Sequence, residues 1–248
     1  MTETSGHLEA GGERLAWRRT SGRGPTLLWL GGFRSEMSGT KAEALATWAD
    51  VNGRDFLRFD YSGHGVSSGD FERGTISRWR ADALAVLDSL TEGPVVLVGS
   101  SMGGWLACLA AMARLERVAG LLLIAPAADF VGRLLAPSLP EDALDAIKRE
   151  GVWRRPSPYD PAGDPITRQF LEDGERWSIL PGPLDIETPT RILQGADDLD
   201  LPWRHALELA TAFRGKDVVF SLIKDGDHRL SRPQDLTRLC AFAAELTA

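Results

Sequence analysis

The run Gly99-Ser100-Ser101-Met102-Gly103 centres a serine between glycines two positions away on either side. It directly follows the apolar run Val95 to Val98 and directly precedes a helical pattern that starts at Met102. A sharp strand-to-helix turn exposes a serine oxygen in a strained conformation and leaves room only for small residues two before and two after it. Gly99, Gly103 and Gly104 meet that demand, so Ser101 is the candidate nucleophile for attack on a carbonyl carbon. The plainer reading is a glycine-rich turn; the strand before it and the helix after it favour the chemistry.

A serine hydroxyl is a weak nucleophile at neutral pH, so it needs a base, and the base needs an orienting acid. On a strand-turn-helix scaffold the chain order is serine, acid, histidine. Of the four histidines, His7 and His64 precede Ser101, and His205 falls inside a helical pattern where packing or solvation accounts for it. His228 follows the run Val218 to Ile223 through Lys224-Asp225-Gly226-Asp227 and is the candidate general base. The acid belongs in Gln194 to Pro202, where Asp197, Asp198 and Asp200 compete. The spacing of Gly195, Asp198, Leu201 and Pro202 favours Asp198, with Asp197 as runner-up; solvation or helix capping suits the remaining aspartates. Asp60, in the glycine-rich stretch Asp60 to Gly65, reads mainly as a residue that satisfies local amides and only secondarily as a rival acid.

Acyl transfer also needs two backbone N–H donors aimed at the tetrahedral oxygen. The amide of Met102 is one candidate, and the amide of Phe33, in the loop Gly31-Gly32-Phe33-Arg34, is the other. The alternative for that loop is that Gly31-Gly32 merely permits a tight turn.

These residues require strands that end where they begin. Thr26 to Leu30, Asp55 to Phe59, Val95 to Val98, Gly120 to Ile124, Thr190 to Leu193 and Val218 to Ile223 read as six central strands, with His7 to Arg19 as an antiparallel edge hairpin. Helices are expected at Lys41 to Val51, Ile76 to Leu90, Met102 to Leu115, Trp203 to Phe213 and Pro233 to Leu246. The alternation implies an α/β fold, a mostly parallel sheet with helices on both faces. It breaks between Ala127 and Ile186, where no strand-like run appears and prolines concentrate. We read residues 127–186 as a small helical lid inserted into a core of residues 1–126 and 187–248, with helices at Glu141 to Glu150 and Ile166 to Glu172. Trp153, Tyr159, Phe170 and Trp177 of the insert, with Trp105 and Met102 of the core, are candidates to border an apolar acyl pocket; plain packing is the alternative.

A net charge of −7 over 248 residues has the wrong sign for a chain that must neutralise phosphates, so nucleic acid is not an expected partner. The longest apolar run, Ala119 to Ala128, is interrupted by Pro126 and falls far short of the ~20 residues a membrane span needs. The N-terminal residues show no targeting pattern, and the expected compartment is the cytoplasm. Cys108 and Cys240 sit in helical patterns and suit free thiols, so no metal site is expected from them.

At these residues the chain resembles the α/β-hydrolase superfamily, and within it the branch of palmitoyl-protein thioesterases and acyl-glucuronide esterases. The resemblance runs from about Leu27 to near the C-terminus. It rests on Gly39 to Ala42, Arg58 to Gly63, Gly99 to Leu106, Gly151 to Trp153, Asp198 to Trp203 and Asp227 to Arg229. It implies a cofactor-free serine hydrolase with a small lid that cleaves carboxylic esters or thioesters of small-molecule or acylated-protein substrates, with Ser101, Asp198 and His228 as its triad. Gly31-Gly32 and Gln194-Gly195 stand where the superfamily commonly has His-Gly, which leaves the backbone donors in place and changes pocket polarity. A carbon–carbon bond hydrolase or an acyltransferase on the same scaffold is the alternative, and a non-catalytic ligand-binding protein stands behind both.

Overall fold

The computed structural model describes residues 3–156 and 162–248. Strands β1 (Glu3–Ala10) and β2 (Glu13–Thr20) form the expected antiparallel edge hairpin. Its two-residue loop is Gly11-Gly12, both at positive φ, which lets the turn follow the twist of the strands. The remaining strands of the main sheet are β3 (Arg23–Leu30), β4 (Arg54–Phe59), β5 (Val95–Ser100), β6 (Val118–Ile124), β9 (Thr190–Gly195) and β10 (Val218–Ile223). Their spatial order is β1-β2-β4-β3-β5-β6-β9-β10, parallel from β4 to β10.

Both faces of the centre of this sheet are covered, which is why β5 and β6 are near-continuous apolar runs, whereas the edge strand β1 is polar and largely exposed. Successive residues point to opposite faces. Leu28, Leu30, Val95 and Leu97 share one core with residues of helices α2 (Ile76–Leu90), α3 (Met102–Ala113) and α7 (Trp203–Ala212). Leu27, Trp29, Val96 and Val98 share the other with residues of α1 (Thr40–Asn52) and α8 (Pro233–Leu246). Among the described residues, no helix is long and apolar enough to cross a membrane.

Between β6 and β9 the chain makes an insert. A π-helical turn (Val131–Leu135) runs into the three-residue helix α4 (Ala136–Ser138), followed by α5 (Glu141–Glu150), strands β7 (Val152–Arg155) and β8 (Asp164–Thr167), and α6 (Arg168–Arg176). The insert is therefore not purely helical, and the strand-free reading of it is corrected: β7 and β8 pair antiparallel, Val152 opposite Thr167. Ile166 belongs to β8, and α6 starts two residues later than its pattern suggests because the Thr167 hydroxyl accepts the Phe170 N–H at 3.1 Å.

One buried carboxylate ties the entry of the insert to its exit. Asp129, at φ 55, accepts the N–H groups of Ile179 (2.9 Å) and Leu180 (2.8 Å) and the Ser178 hydroxyl (2.7 Å). Beyond this clasp the chain is already stitched to the core, with the Leu184 N–H donating to Ala212 O and Gly215 to Ile186 O. Asp129→Ala leaves several buried donors unmatched, at a cost of about 3 kcal/mol. We expect a Tm lowered by roughly 6–12 °C, read by calorimetry; a shift under ~2 °C would show that the clasp does not hold the insert.

Candidate active site

Ser101 sits between β5 and α3 at φ 54, ψ −119. A non-glycine residue held in such a region costs ~1–3 kcal/mol, so the surroundings must over-determine it. They do so by close backbone contact. A Cβ on Gly99 would lie 2.3 Å from Gly103 O, and one on Gly103 would lie 2.0 Å from Leu30 O. The Ser101 N–H donates to Ile124 O (2.9 Å), and its carbonyl accepts from Gly104 (2.8 Å) and Ala127 (3.1 Å).

The loops after β9 and β10 meet this turn. A Cβ on Gly195 would lie 2.2 Å from Gly226 O, so the two loops pack backbone to backbone. His228 Nε2 lies 3.0 Å from Ser101 Oγ, and His228 Nδ1 lies 2.8 Å from Asp198 Oδ2. A carboxylate can only accept, so Nδ1 carries the proton and Nε2 is free to accept from the serine hydroxyl. Asp198 Oδ1 accepts the N–H groups of Asp200 (3.0 Å) and Leu201 (2.8 Å), while Oδ2 also accepts from Gln194 Nε2 (3.0 Å). Burial pushes the Asp198 carboxyl up, but the His228 interaction, the Leu201 N–H and Gln194 together hold it below its ordinary range. Asp197 instead gives its N–H to Gly226 O, and Asp60 accepts the N–H groups of Met37 (2.7 Å) and Val66 (3.0 Å), away from the histidine.

Ser101 and His228 open into a cavity of about 970 Å³. The loop after β3 forms one wall, with Gly32 so close that a Cβ there would meet Ser101 Cβ at 3.4 Å. In that loop the Ser35 N–H is bonded to Gly32 O (3.1 Å) and the Arg34 N–H to His64 Nε2 (3.3 Å). Among the described residues, the N–H groups of Phe33 and Met102 have no hydrogen-bond partner. The rim carries Arg34, Lys41, Arg155 and Arg229 beside Asp164 and Asp200. Burial pulls the Lys41 ammonium down to about 8 while it donates to Arg229 O at 2.5 Å.

Of the aromatic residues singled out as pocket lining, Trp105, Trp153, Phe170 and Trp177 are not among those that line this cavity. Trp105 is fully buried in the core and donates from Nε1 to Trp177 O (3.2 Å). Trp177 donates to Ser77 Oγ (2.7 Å) under the Arg80 guanidinium, Phe170 packs against Phe33, and Trp153 packs on the core. Tyr159 lies outside the described residues. The apolar lining is instead Phe33, Phe130 just before the π-helical turn, Leu134 and Leu135 within it, and Leu199 and Leu201. The signal for Phe130, Leu134 and Leu135 was present in the sequence, since Phe130 to Leu135 is the first apolar stretch after β6, the strand beside the serine.

A second cavity of about 370 Å³, against β10 and α8, contains none of these residues. Among the described residues one cluster has the spacing of metal ligands, Asp198, Asp200 and His228. The oxygens of Asp198 and the Nδ1 of His228 are already engaged with one another and with N–H donors.

A parallel sheet with a serine at a strained strand-to-helix turn, meeting a histidine and a buried aspartate from later loops, defines the α/β-hydrolase class. The chain belongs to the alpha/beta hydrolase family, whose description matches residues 27–239. It is 39% identical over 234 residues to "Palmitoyl-protein thioesterase ABHD10, mitochondrial" of Mus musculus, covering 94% of this chain and 78% of the mouse protein. Among solved structures it is similar to a putative hydrolase from Agrobacterium vitis S4, at 39% identity and a TM-score of 0.96 with all of both chains covered. It is also similar to mouse alpha/beta hydrolase domain-containing protein 10, at 37% identity and a TM-score of 0.89 with 98% of each covered.

Because the folded pKa of Asp198 is lowered, its stabilising contribution is complete above the ordinary carboxylate range and is lost as pH falls through the folded value. Denaturant unfolding of wild type and Asp198→Asn from about pH 6 to pH 2 is expected to give curves that converge at low pH. Parallel curves across that range would refute the account of this carboxylate.

Proposed function

We propose that the protein is a serine hydrolase of carboxylic esters or thioesters that works through an acyl-enzyme. The observation that carries this reading is the hydrogen-bonded chain Ser101–His228–Asp198, at 3.0 and 2.8 Å, opening into a cavity of about 970 Å³. His228 Nε2 takes the Ser101 proton as Oγ attacks the carbonyl carbon. The imidazolium, steadied by Asp198, then gives that proton to the departing alcohol or thiol. The Phe33 and Met102 N–H groups, which have no other partner among the described residues, receive the oxyanion. In the second half, water loses a proton to His228 as its oxygen attacks the acyl carbon, and the bond from that carbon to Ser101 Oγ then breaks as His228 returns the proton to Oγ, which releases the carboxylic acid and restores Ser101.

Residues 127–186 act as the lid in this reading, since Phe130, Leu134 and Leu135 form the apolar wall on which an acyl chain lies. The name of the mouse relative supports a palmitoyl-type thioester among the substrates, and the cationic rim suits a polar leaving group. We place the enzyme in a reducing compartment, the cytoplasm by our reading. Cys108 and Cys240 are unbridged, and burial pushes the Cys108 thiol up to about 12, which leaves it an inert packing residue.

Fluorophosphonate labelling of wild type and Ser101→Ala tests the nucleophile, together with p-nitrophenyl esters from acetate to palmitate and an acyl thioester. Wild type is expected to label and turn over, and Ser101→Ala to lose labelling and at least ~10⁴-fold in kcat. Equal labelling of the two proteins overturns the assignment of Ser101, and no turnover of any substrate overturns the hydrolase reading.

A further inference from the structure

His64 takes no part in the chain Ser101–His228–Asp198, yet it is buried, 3% exposed, and both ring nitrogens are matched. Its Nδ1 lies 3.3 Å from Ser62 O, a group that can only accept, so Nδ1 carries the proton. Its Nε2 therefore has a free lone pair, and that lone pair accepts the Arg34 N–H at 3.3 Å. Burial pulls the His64 imidazole down to about 4, which keeps it neutral and able to accept across the pH range where a serine hydrolase works. The ring has little freedom to turn, since Phe71 and Trp79 lie 5.0 Å from it and Tyr61 5.5 Å, all edge to face.

The residue it holds is the one after Phe33. Arg34 stands at φ 55, a left-handed conformation unfavourable for an arginine, and the peptide between Phe33 and Arg34 must keep one orientation to maintain it. An N–H turned to His64 cannot also turn to the substrate, and a tilt of that peptide changes the aim of the neighbouring Phe33 N–H.

We propose that His64 is a positioning residue of the oxyanion hole: by accepting the Arg34 N–H it fixes the loop after β3 so that the Phe33 N–H faces the developing oxyanion. This rests on the hydrolase reading above, in which Phe33 is one of the two donors. The role needs a fixed acceptor and no proton transfer, so an amide oxygen at the place of Nε2 can supply it, whereas a phenyl ring fills the same space without it.

The test compares His64→Phe, which keeps the shape and loses the acceptor, with His64→Gln, whose side-chain oxygen reaches the place of Nε2. For a p-nitrophenyl ester, His64→Phe is expected to lower kcat by ~10–100-fold with KM within about twofold, because the interaction lost is one with the transition state. A trifluoromethyl ketone, which becomes a tetrahedral adduct on Ser101, is expected to lose affinity for His64→Phe by the same factor, and His64→Gln to recover most of both losses. A general loss of packing would lower both variants alike and would not track the ketone. Nitrogen-15 NMR of the wild type reads the bond without any substitution, through a coupling across it between the Arg34 amide nitrogen and an unprotonated His64 Nε2.

A protonated Nε2, a His64→Phe kcat within twofold of wild type, or Gln no better than Phe overturns the proposal and leaves the hydrolase reading standing. A wild type that hydrolyses no ester or thioester sinks that reading, and this proposal with it.

Discussion

The contact on which the site depends is the backbone approach at the end of β5, where Gly99 and Gly103 meet with no room for a Cβ on either. Parallel strands feed their helices back across the sheet, and at this crossover the first turn of α3 lies directly on the strand that precedes it. Only glycine allows that distance, and the chain reverses by placing Ser101 at positive φ. The strain of ~1–3 kcal/mol is small beside what encloses it. Trp105, Leu106, Ala107 and Cys108 of α3 are fully buried, and full burial of one large apolar side chain contributes about 1.5–3 kcal/mol. Packing of α3 therefore outweighs the strained turn several times over, and the serine oxygen is held outward by the core behind it.

The second constraint is topological. The strands β3, β5, β6, β9 and β10 run parallel and side by side, so the loops at their C-terminal ends emerge along one edge of the sheet. Ser101 and His228 stand 127 positions apart in the chain and 3.0 Å apart in space for this reason. Register sharpens the placement: Ser100 pairs with Ile124, Ile124 with Leu193, and the following loops start level with one another. Gly195 and Gly226 then close the remaining gap, bringing the aspartate loop against the histidine loop.

Much of this was legible in the sequence, because buried parallel strands are written as continuous apolar runs and the glycines mark where backbones touch. The Ser101 turn and the loops of Asp198 and His228 carry such signals within a few residues of each other. The insert carried weaker ones. Strands β7 and β8 read Val-Trp-Arg-Arg and Asp-Pro-Ile-Thr, charged and interrupted by proline, and they pair with each other instead of joining the main sheet. No apolar period marks such a hairpin. The aromatic residues misled for a related reason: hydrophobicity shows that a side chain is buried but not on which side of a wall. Trp105 and Trp177 satisfy their indole N–H groups inside the protein, which places them behind the cavity.

That inward packing decides how the insert and the loop after β3 act on one another. Among the described residues two kinds of contact join them. Arg34 reaches Asp164 of β8 at 3.2 Å across a partly exposed rim, where such a pair contributes at most about 1 kcal/mol and is screened by salt. The Phe33 ring, by contrast, lies 5.3 Å from Phe170 of α6 and 6.4 Å from Phe130 at the π-helical turn, and it also meets Phe71 at 4.9 Å and Trp79 at 5.9 Å. Aromatic pairs of this kind contribute ~0.5–1.5 kcal/mol each beyond their buried area, so the two that reach the insert, with Phe170 and Phe130, match or exceed the ion pair, while Phe71 and Trp79 fix the Phe33 ring from the core side. Coupling between the insert and the loop beside Ser101 thus runs through apolar contact and survives high salt. Of the rings in this cluster Phe33 and Phe130 also line the cavity, so its apolar wall combines aromatic faces held by the cluster with the more flexible side chains of Leu134, Leu135 and Leu201.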